Sequence, residues 1–471
     1  MYQLANPVGK TMKNSIKSIT HKFIKILKNV PFALFAIALY PILRIRTKVT
    51  FNECKMIIKI YLYSLLQHKQ FLNALKVFYL LFFKVAWRDF TPDNSLFKLD
   101  NETKKDVWKI GQWYSIKPEH LTETNVKKDA SNKKYFSIGR EAIAHILKTN
   151  RFRKKTVLLP NFTCFTVLDP FTQDGWELCF YRYHKDLTID DKYFREVFNK
   201  FKPTICIFQS LSGMGFNAVE NDLIDYTHKT GCMTVVDQTQ DIYNSKNNPA
   251  VDYYCGSLRK WYPFPDGAFL YSEKYPIDGC DNLKENNVYR TSMGLCMFAR
   301  HLDSTYVNPF FSYLFRFMWT FSVSYIAGTE ITSHTMSSYS RSVLSQQNET
   351  ANSQIRIQNF RYIYQEIKEL KTVKPAFNDI SRLQCVPLSF PVYVKNRNRF
   401  SAFLRSNRIS TQVLWGKPPY IKEHISLDKT TEFIYNHILS LPCDQRYDLG
   451  DMKKMIDVLR EYDSMEGLTM G

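Results

Sequence analysis

Acidic residues are scarce at the start of this 471-residue chain: among its first 90 positions only Glu53 and Asp89 are acidic, against fifteen lysines and arginines. Most of the formal charge of +20 therefore belongs to the N-terminal segment, and the rest of the chain is only mildly basic. Such a segment suits nucleic acid, anionic lipid or an acidic partner. No zinc-finger, RNA-recognition or helix-turn-helix pattern accompanies it, so nucleic acid is not the expected partner. A bilayer-spanning run is missing too. The uncharged stretch from Asn29 to Leu43 contains Pro31 and Pro41 and is shorter than the roughly 20 residues needed, and Phe71 to Trp87 is interrupted by Lys76 and Lys84. No small-residue cleavage site follows the first stretch, so it does not read as a secretory leader. Two readings stay open for residues 1–95: basic helices in peripheral contact with the inner face of a membrane, or a helical extension packed on the main body. The ten cysteines include no C-x-x-C pair and no zinc-type spacing, so no metal is expected. Cys206 and Cys232 sit inside apolar runs, as free buried thiols of a reducing cytosol do.

What is present is globular: 45% hydrophobic and 23% charged residues, in a chain long enough for two or three folding units. There is no internal repeat and no low-complexity tract. Residues 1–95 read as the basic helical extension and 96–134, rich in Asp, Asn, Lys and Thr, as a linker. From Tyr135 short apolar runs alternate with helical patterns. Thr156–Leu159, Glu177–Tyr181, Thr204–Phe208 and Met233–Val236 read as strands; Lys192–Phe201 and Glu220–Lys229 read as helices. This alternation predicts an α/β domain with a mostly parallel sheet and helices on both faces, over residues 135–350. Residues 351–471 predict a smaller α+β domain, with a strand over Cys385–Val394, a helix over Arg397–Asn407 and a closing helix over Asp448–Tyr462.

Four places carry chemistry. Val235-Val-Asp-Gln-Thr-Gln240 puts Asp237 at the end of a buried strand, where open α/β sheets bind ligands. Ser257-Leu-Arg-Lys-Trp-Tyr-Pro-Phe-Pro-Asp-Gly267 wedges Lys260 among apolar and aromatic residues; burial lowers a lysine's pKa, which an amine needs to act as a nucleophile on a carbonyl. Gly139-Arg140 opens a helix, whose free N–H groups suit a phosphate, and Ser257 can add a hydroxyl. Pro160-Asn-Phe-Thr-Cys-Phe165 places Phe162 and Phe165 at a strand end. Taken singly, Asp237 also reads as a loop or cap residue, Lys260 as a surface lysine, and the two phenylalanines as core.

The order of these motifs resembles the DegT/DnrJ/EryC1/StrS family of pyridoxal-phosphate-dependent sugar aminotransferases. Gly-Arg-Glu-Ala, Leu-Pro-Asn-Phe-Thr-Cys, Val-Asp-Gln-Thr-Gln and Ser-Leu-Arg-Lys-Trp-x-Pro-x-Pro-Asp-Gly follow one another, and Leu439-Ser-Leu-Pro-Cys-Asp-Gln-Arg-Tyr447 precedes the last helix. The resemblance covers roughly Tyr135 to Glu461. It implies the fold-type I, aspartate-aminotransferase-like architecture, pyridoxal 5'-phosphate as cofactor and a cytoplasmic homodimer. By the same resemblance Lys260 holds the cofactor, Asp237 pairs with its pyridine nitrogen and Gln240 faces its ring or phenolic oxygen. Ser257, Gly139 and Arg140 serve its phosphate, and Phe162 or Phe165 stacks on the ring. The family acts on nucleotide-linked keto-sugars, with glutamate as the expected amino donor, in surface polysaccharide or glycoconjugate synthesis. Two stretches depart from its pattern: Gln209-Ser-Leu-Ser-Gly213 after the middle strand, and Thr332–Ser340, where no clean match exists for the asparagine a second subunit usually lends. Dehydratase-like chemistry on the same fold, or an inactive membrane-peripheral assembly component, are the alternatives; a lysine at position 260 favours amino transfer.

Overall fold

The computed structural model describes residues 109–115, 130–243, 248–305 and 309–468. The basic segment over 1–95 lies outside them. The chain divides into two compact units: Met1–Thr103 with Asn287–Thr329, and Lys104–Asn286 with Glu330–Gly471.

The second unit is built on two sheets. Its larger sheet has seven strands: β1 (Lys133–Phe136), β2 (Thr156–Pro160), β3 (Glu177–Tyr181), β4 (Ile205–Gln209), β5 (Met233–Asp237), β6 (Tyr253–Ser257) and β7 (Ala268–Tyr271), in the order β1-β7-β6-β5-β4-β2-β3. The five from β6 to β3 run parallel, while β7 joins β6 and β1 antiparallel. Every residue of β2, β4 and β6 is buried, which is why they read as near-continuous apolar runs rather than as alternating ones. Helices α1 (Gly139–Thr149), α2 (Phe165–Gln173), α3 (Asp191–Phe201) and α4 (Ala218–Lys229) make the crossovers. Their starts are encoded locally. The Asp190 side chain accepts from Tyr193 N–H at α3, and Asn217 with Glu220 forms a capping box at α4.

After the first unit's insertion come α7 (Ser338–Ser345), α8 (Glu349–Ile367), β8 (Val373–Pro375), β9 (Phe390–Val394), α9 (Arg397–Ser406), α10 (Pro419–His424), α11 (Lys429–His437), β10 (Ile438–Leu441) and α12 (Leu449–Leu468), numbered after the two inserted helices. The three strands make an antiparallel sheet, β10-β9-β8, packed with α8, α9 and α12 around Phe360, Ile363, Phe390, Val392, Leu404 and Ile456. The expected strand over Cys385–Val394 is thus confined to its second half. Of the linker expected over 96–134, residues 109–115 and 130–134 are described. Ile110 is fully buried in that same core and exchanges backbone hydrogen bonds with Arg408 and Ser410.

In the first unit the described residues are two helices, α5 (Asn287–Thr305) and α6 (Pro309–Gly328), packed on each other, with Ser322 Oγ donating to Ser292 Oγ over 2.9 Å. Arg316, the charge in the aromatic run, is exposed. No helix among the described residues is long and apolar enough to cross a membrane. The described cysteines are all free, and most are buried.

Candidate active site

The parallel strands β5 and β6 end side by side, with Asp237 opposite Cys255, and the residues that follow them turn over the carboxyl edge of the sheet. Asp237 is buried at 7% exposure. Its Oδ1 accepts the Thr239 N–H at 2.8 Å and its Oδ2 faces Gln209 Nε2 at 3.5 Å. Both oxygens of the acid are therefore fixed by neighbours.

Gln240 is held by its carbonyl end. Its Oε1 accepts from the Ser212 N–H and hydroxyl, both at 3.2 Å, while its Nε2 is buried with no hydrogen-bond partner among the described residues. Buried donors are normally paired, so this amide is arranged for an acceptor that the described residues do not supply. The turn that grips it is tight: Ser212 has φ 51° and Gly213 φ 75°. A Cβ on Gly213 would meet Pro387 at 2.7 Å, so only glycine fits.

Lys260 closes a single helical turn, Leu258–Lys260, immediately after β6. Its amine has no hydrogen bond or ion pair among the described residues. Burial pushes its pKa below the usual lysine value, and the neighbouring Arg259 charge adds to that. Cys164 and Asp237 act in the opposite direction, so the loop after β2 and the end of β5 both lie within electrostatic reach of the amine. Trp261, fully buried, donates its indole N–H to the Thr239 carbonyl at 2.8 Å, and the Arg356 guanidinium lies 4.4 Å over its ring.

The start of α1 meets the end of β6. A Cβ on Gly139 would stand 3.8 Å from Ser257 Cβ, so these two residues, far apart in sequence, are neighbours. Ile138 precedes the helix in extended conformation and no side chain caps it, which leaves the first turn suited to an anion. Ser137 Oγ, just before it, is buried and without a partner among the described residues. The Arg140 side chain points elsewhere: it is buried at 4% exposure with Nη1 3.4 Å from Asp169 of α2.

Phe162 is fully enclosed, its ring 5.0 Å from Trp415 and 4.9 Å from Tyr435. Phe165, at the first position of α2, is half-buried and makes no ring contact among the described residues. The structure thus brings Lys260, Asp237, Gln240, Ser257 and Gly139 to one edge of the sheet, commits Phe162 to packing and engages the Arg140 guanidinium with Asp169. Thr239, Gln209, Ser212 and Ser137 belong to the same place and were not singled out from sequence. For Thr239 and Ser137 the signal was adjacency to recognised motifs; for Gln209 and Ser212 it was the stretch that departs from the family pattern.

The donor set fits pyridoxal phosphate: a lysine of lowered pKa, a buried acid, an unpaired amide donor, and a serine beside an uncapped helix start. No protein-family model matches the sequence, and no curated protein does. Solved structures do. The Streptococcus pneumoniae protein Spr1654, assigned as a sugar aminotransferase and solved in its PLP form, superposes with a TM-score of 0.55 at 11% identity, over 76% of this chain and 99% of that one. DesV of S. venezuelae, in complex with a ketimine intermediate, gives 0.51 at 15% identity, over 74% and 90%. PseC of Helicobacter pylori, an aminotransferase of pseudoaminic acid biosynthesis, gives 0.50 at 14%, over 70% and 87%. With its mostly parallel seven-stranded sheet and smaller C-terminal α+β part, the chain has the fold of the fold-type I pyridoxal-phosphate transferases.

Proposed function

We propose that this chain is a pyridoxal-phosphate-dependent aminotransferase of the DegT/DnrJ/EryC1/StrS type, transferring an amino group from glutamate to a nucleotide-linked keto-sugar. The observation that carries the proposal is the convergence of Lys260, Asp237, Gln240, Ser257 and Gly139 on one sheet edge, with the Gln240 amide buried and awaiting an acceptor. Sugar as substrate class is supported by the description of Spr1654 as a sugar aminotransferase and by the order of motifs. Surface polysaccharide or glycoconjugate synthesis, a cytoplasmic homodimer and a peripheral membrane contact through residues 1–95 belong to the same reading.

When bound, pyridoxal phosphate supplies an electron sink for a substrate carbon that has lost a proton. The protein's part is to hold and to move protons. Lys260, whose lowered pKa raises the share of free amine, would hold the cofactor and would be the group that takes up and returns a proton beside it. Asp237, held by the Thr239 N–H and Gln209, would face the pyridine nitrogen and favour its protonated form. Gln240 Nε2 would donate to the phenolic oxygen, and Ser257 with the start of α1 would receive the phosphate. Phe165, whose ring is uncommitted, is the better stacking candidate of the two phenylalanines. For Arg140, whose guanidinium meets Asp169, the backbone N–H at the helix start would be the group offered to the phosphate.

The test is spectroscopic. The full chain incubated with pyridoxal phosphate should gain a visible band, and borohydride followed by peptide mass analysis should place the adduct on Lys260. Lys260→Ala should lose both. Adducts spread over surface lysines, or transamination by Lys260→Ala, would overturn the assignment. Added glutamate should bleach the band; a band indifferent to every amino donor would favour other chemistry on the same site.

A further inference from the structure

We propose that Thr239 is the positioning residue that seats Ser257 for the phosphate, an inference that rests on the pyridoxal-phosphate reading. The three polar groups of Thr239 reach three parts of the site. Its N–H donates to Asp237 Oδ1 at 2.8 Å, its carbonyl accepts the Trp261 indole N–H at 2.8 Å, and its Oγ1 accepts the Ser257 N–H at 3.0 Å. The first two links are made by backbone and survive any substitution that keeps the turn. The third is made by the side chain alone.

That third link substitutes for a missing piece of sheet. Pairing between β5 and β6 stops at Asp237 and Cys255, with a last backbone bond from Gln238 N–H to the Cys255 carbonyl at 2.7 Å. Beyond it the Ser257 N–H has lost a ladder partner on the β5 side, and the Thr239 hydroxyl takes that place. Ser257 is only 7% exposed, so water is a poor replacement, and an unpaired N–H there carries the full cost of desolvation. The β-branched side chain adds stiffness, because threonine has few χ1 choices. Thr239 thereby fixes the last residue of β6 at the point where its side chain adjoins Gly139 and the open start of α1.

A residue acting through Ser257 should matter for the phosphate and not for the pyridine ring or the lysine. The experiment is a titration of the full chain with pyridoxal phosphate and, separately, with pyridoxal, which lacks the phosphate, read by the visible band and by borohydride trapping on Lys260. Thr239→Val should weaken pyridoxal phosphate about tenfold or more, the loss expected for one hydrogen bond with its buried donor left unpaired, and leave pyridoxal within about twofold. Thr239→Ser, which keeps the acceptor, should recover most of the loss. Val binding pyridoxal phosphate as the parent does would overturn the inference, as would losing both ligands equally, which marks a general structural role. If Val does not fold, Thr239→Ala is titrated with the same two ligands and judged by the same ratio. A parent chain that traps no cofactor on Lys260 removes the pyridoxal-phosphate reading itself, and this inference with it.

Discussion

At Lys260, burial and the adjacent Arg259 both disfavour the charged amine. The folded pKa thus lies below the unfolded value near 10.5. Below the folded value both states carry the proton and the fold bears the whole penalty. As pH rises from the folded toward the unfolded value the native amine has lost its proton, and the penalty disappears. Lys260→Met should accordingly raise the melting temperature of the cofactor-free protein at pH 7 by about 1–2 °C, the scale of one stabilising substitution in a unit this long. The gain should shrink by pH 10. Thermal unfolding at pH 7, 9 and 10 checks this, and a gain that grows with pH would contradict it. This residue was legible from sequence because a lysine set between a buried strand and a Trp-Tyr-Pro run is badly placed to keep a solvated ammonium. Phe162 was not: its partners Trp415 and Tyr435 are more than 250 positions away, and no local window reveals that they enclose it.

Elements were legible where their ends are marked locally, as at the Asp190 and Asn217 caps, and less so where a distant group competes for the backbone. The expected strand over Cys385–Val394 loses its first half because Arg356 Nη1 takes the carbonyls of Pro387 at 3.0 Å and Leu388 at 2.9 Å, so neither is left for a ladder. The Cys385 N–H is likewise spent on the Gly213 carbonyl. Another long-range device starts α7. Ser337 caps it by accepting from the Ser340 N–H, and the Ser337 N–H and hydroxyl both donate to the fully buried Asp266. Burial raises the Asp266 pKa, while the Ser337 and Ser340 donors lower it. Ser337→Ala removes the cap and one of those donors together. It should cost about 2–3 kcal/mol in denaturant unfolding, and a loss under about 0.5 kcal/mol would mean that the contact contributes little.

For the unit that holds the site, the question is where it begins. Composition alone places residues 96–134 outside the fold, because Asp, Asn, Lys and Thr dominate there. Composition averages over Ile110 and Tyr114, which are nonetheless buried. The Gly111 N–H donates to the Tyr447 hydroxyl at 2.9 Å, and Gly111 passes so close to Ser410 at φ 74° that no side chain fits. The Tyr114 hydroxyl accepts from Arg356 Nη2 at 3.2 Å while Arg446 lies 4.0 Å over its ring. Arg356 itself is fully buried and also bonds Gln445, so removing Tyr114 leaves a buried cation short of an acceptor. A truncated chain starting at Lys104 should therefore unfold cooperatively, whereas one starting at Lys128 should be less stable by roughly 4 kcal/mol or more, from two buried side chains and that lost acceptor. Equal denaturation midpoints for the two would show that residues 109–115 contribute nothing to the fold.

The free cysteines noted in the sheets have a further consequence. Cys206 and Cys255 lie inside β4 and β6, and burial holds both thiols well above their ordinary pKa. Cys443, after β10, is pushed up to about 12. Alkylating reagents attack thiolates, so these sulfurs are chemically silent while the chain is closed and become reactive only where it opens. The molecule thus carries its own clocks, one set a few residues ahead of Lys260 and another beside the small sheet. Their relative rates of labelling record whether the two sheets come apart in a single event or in turn.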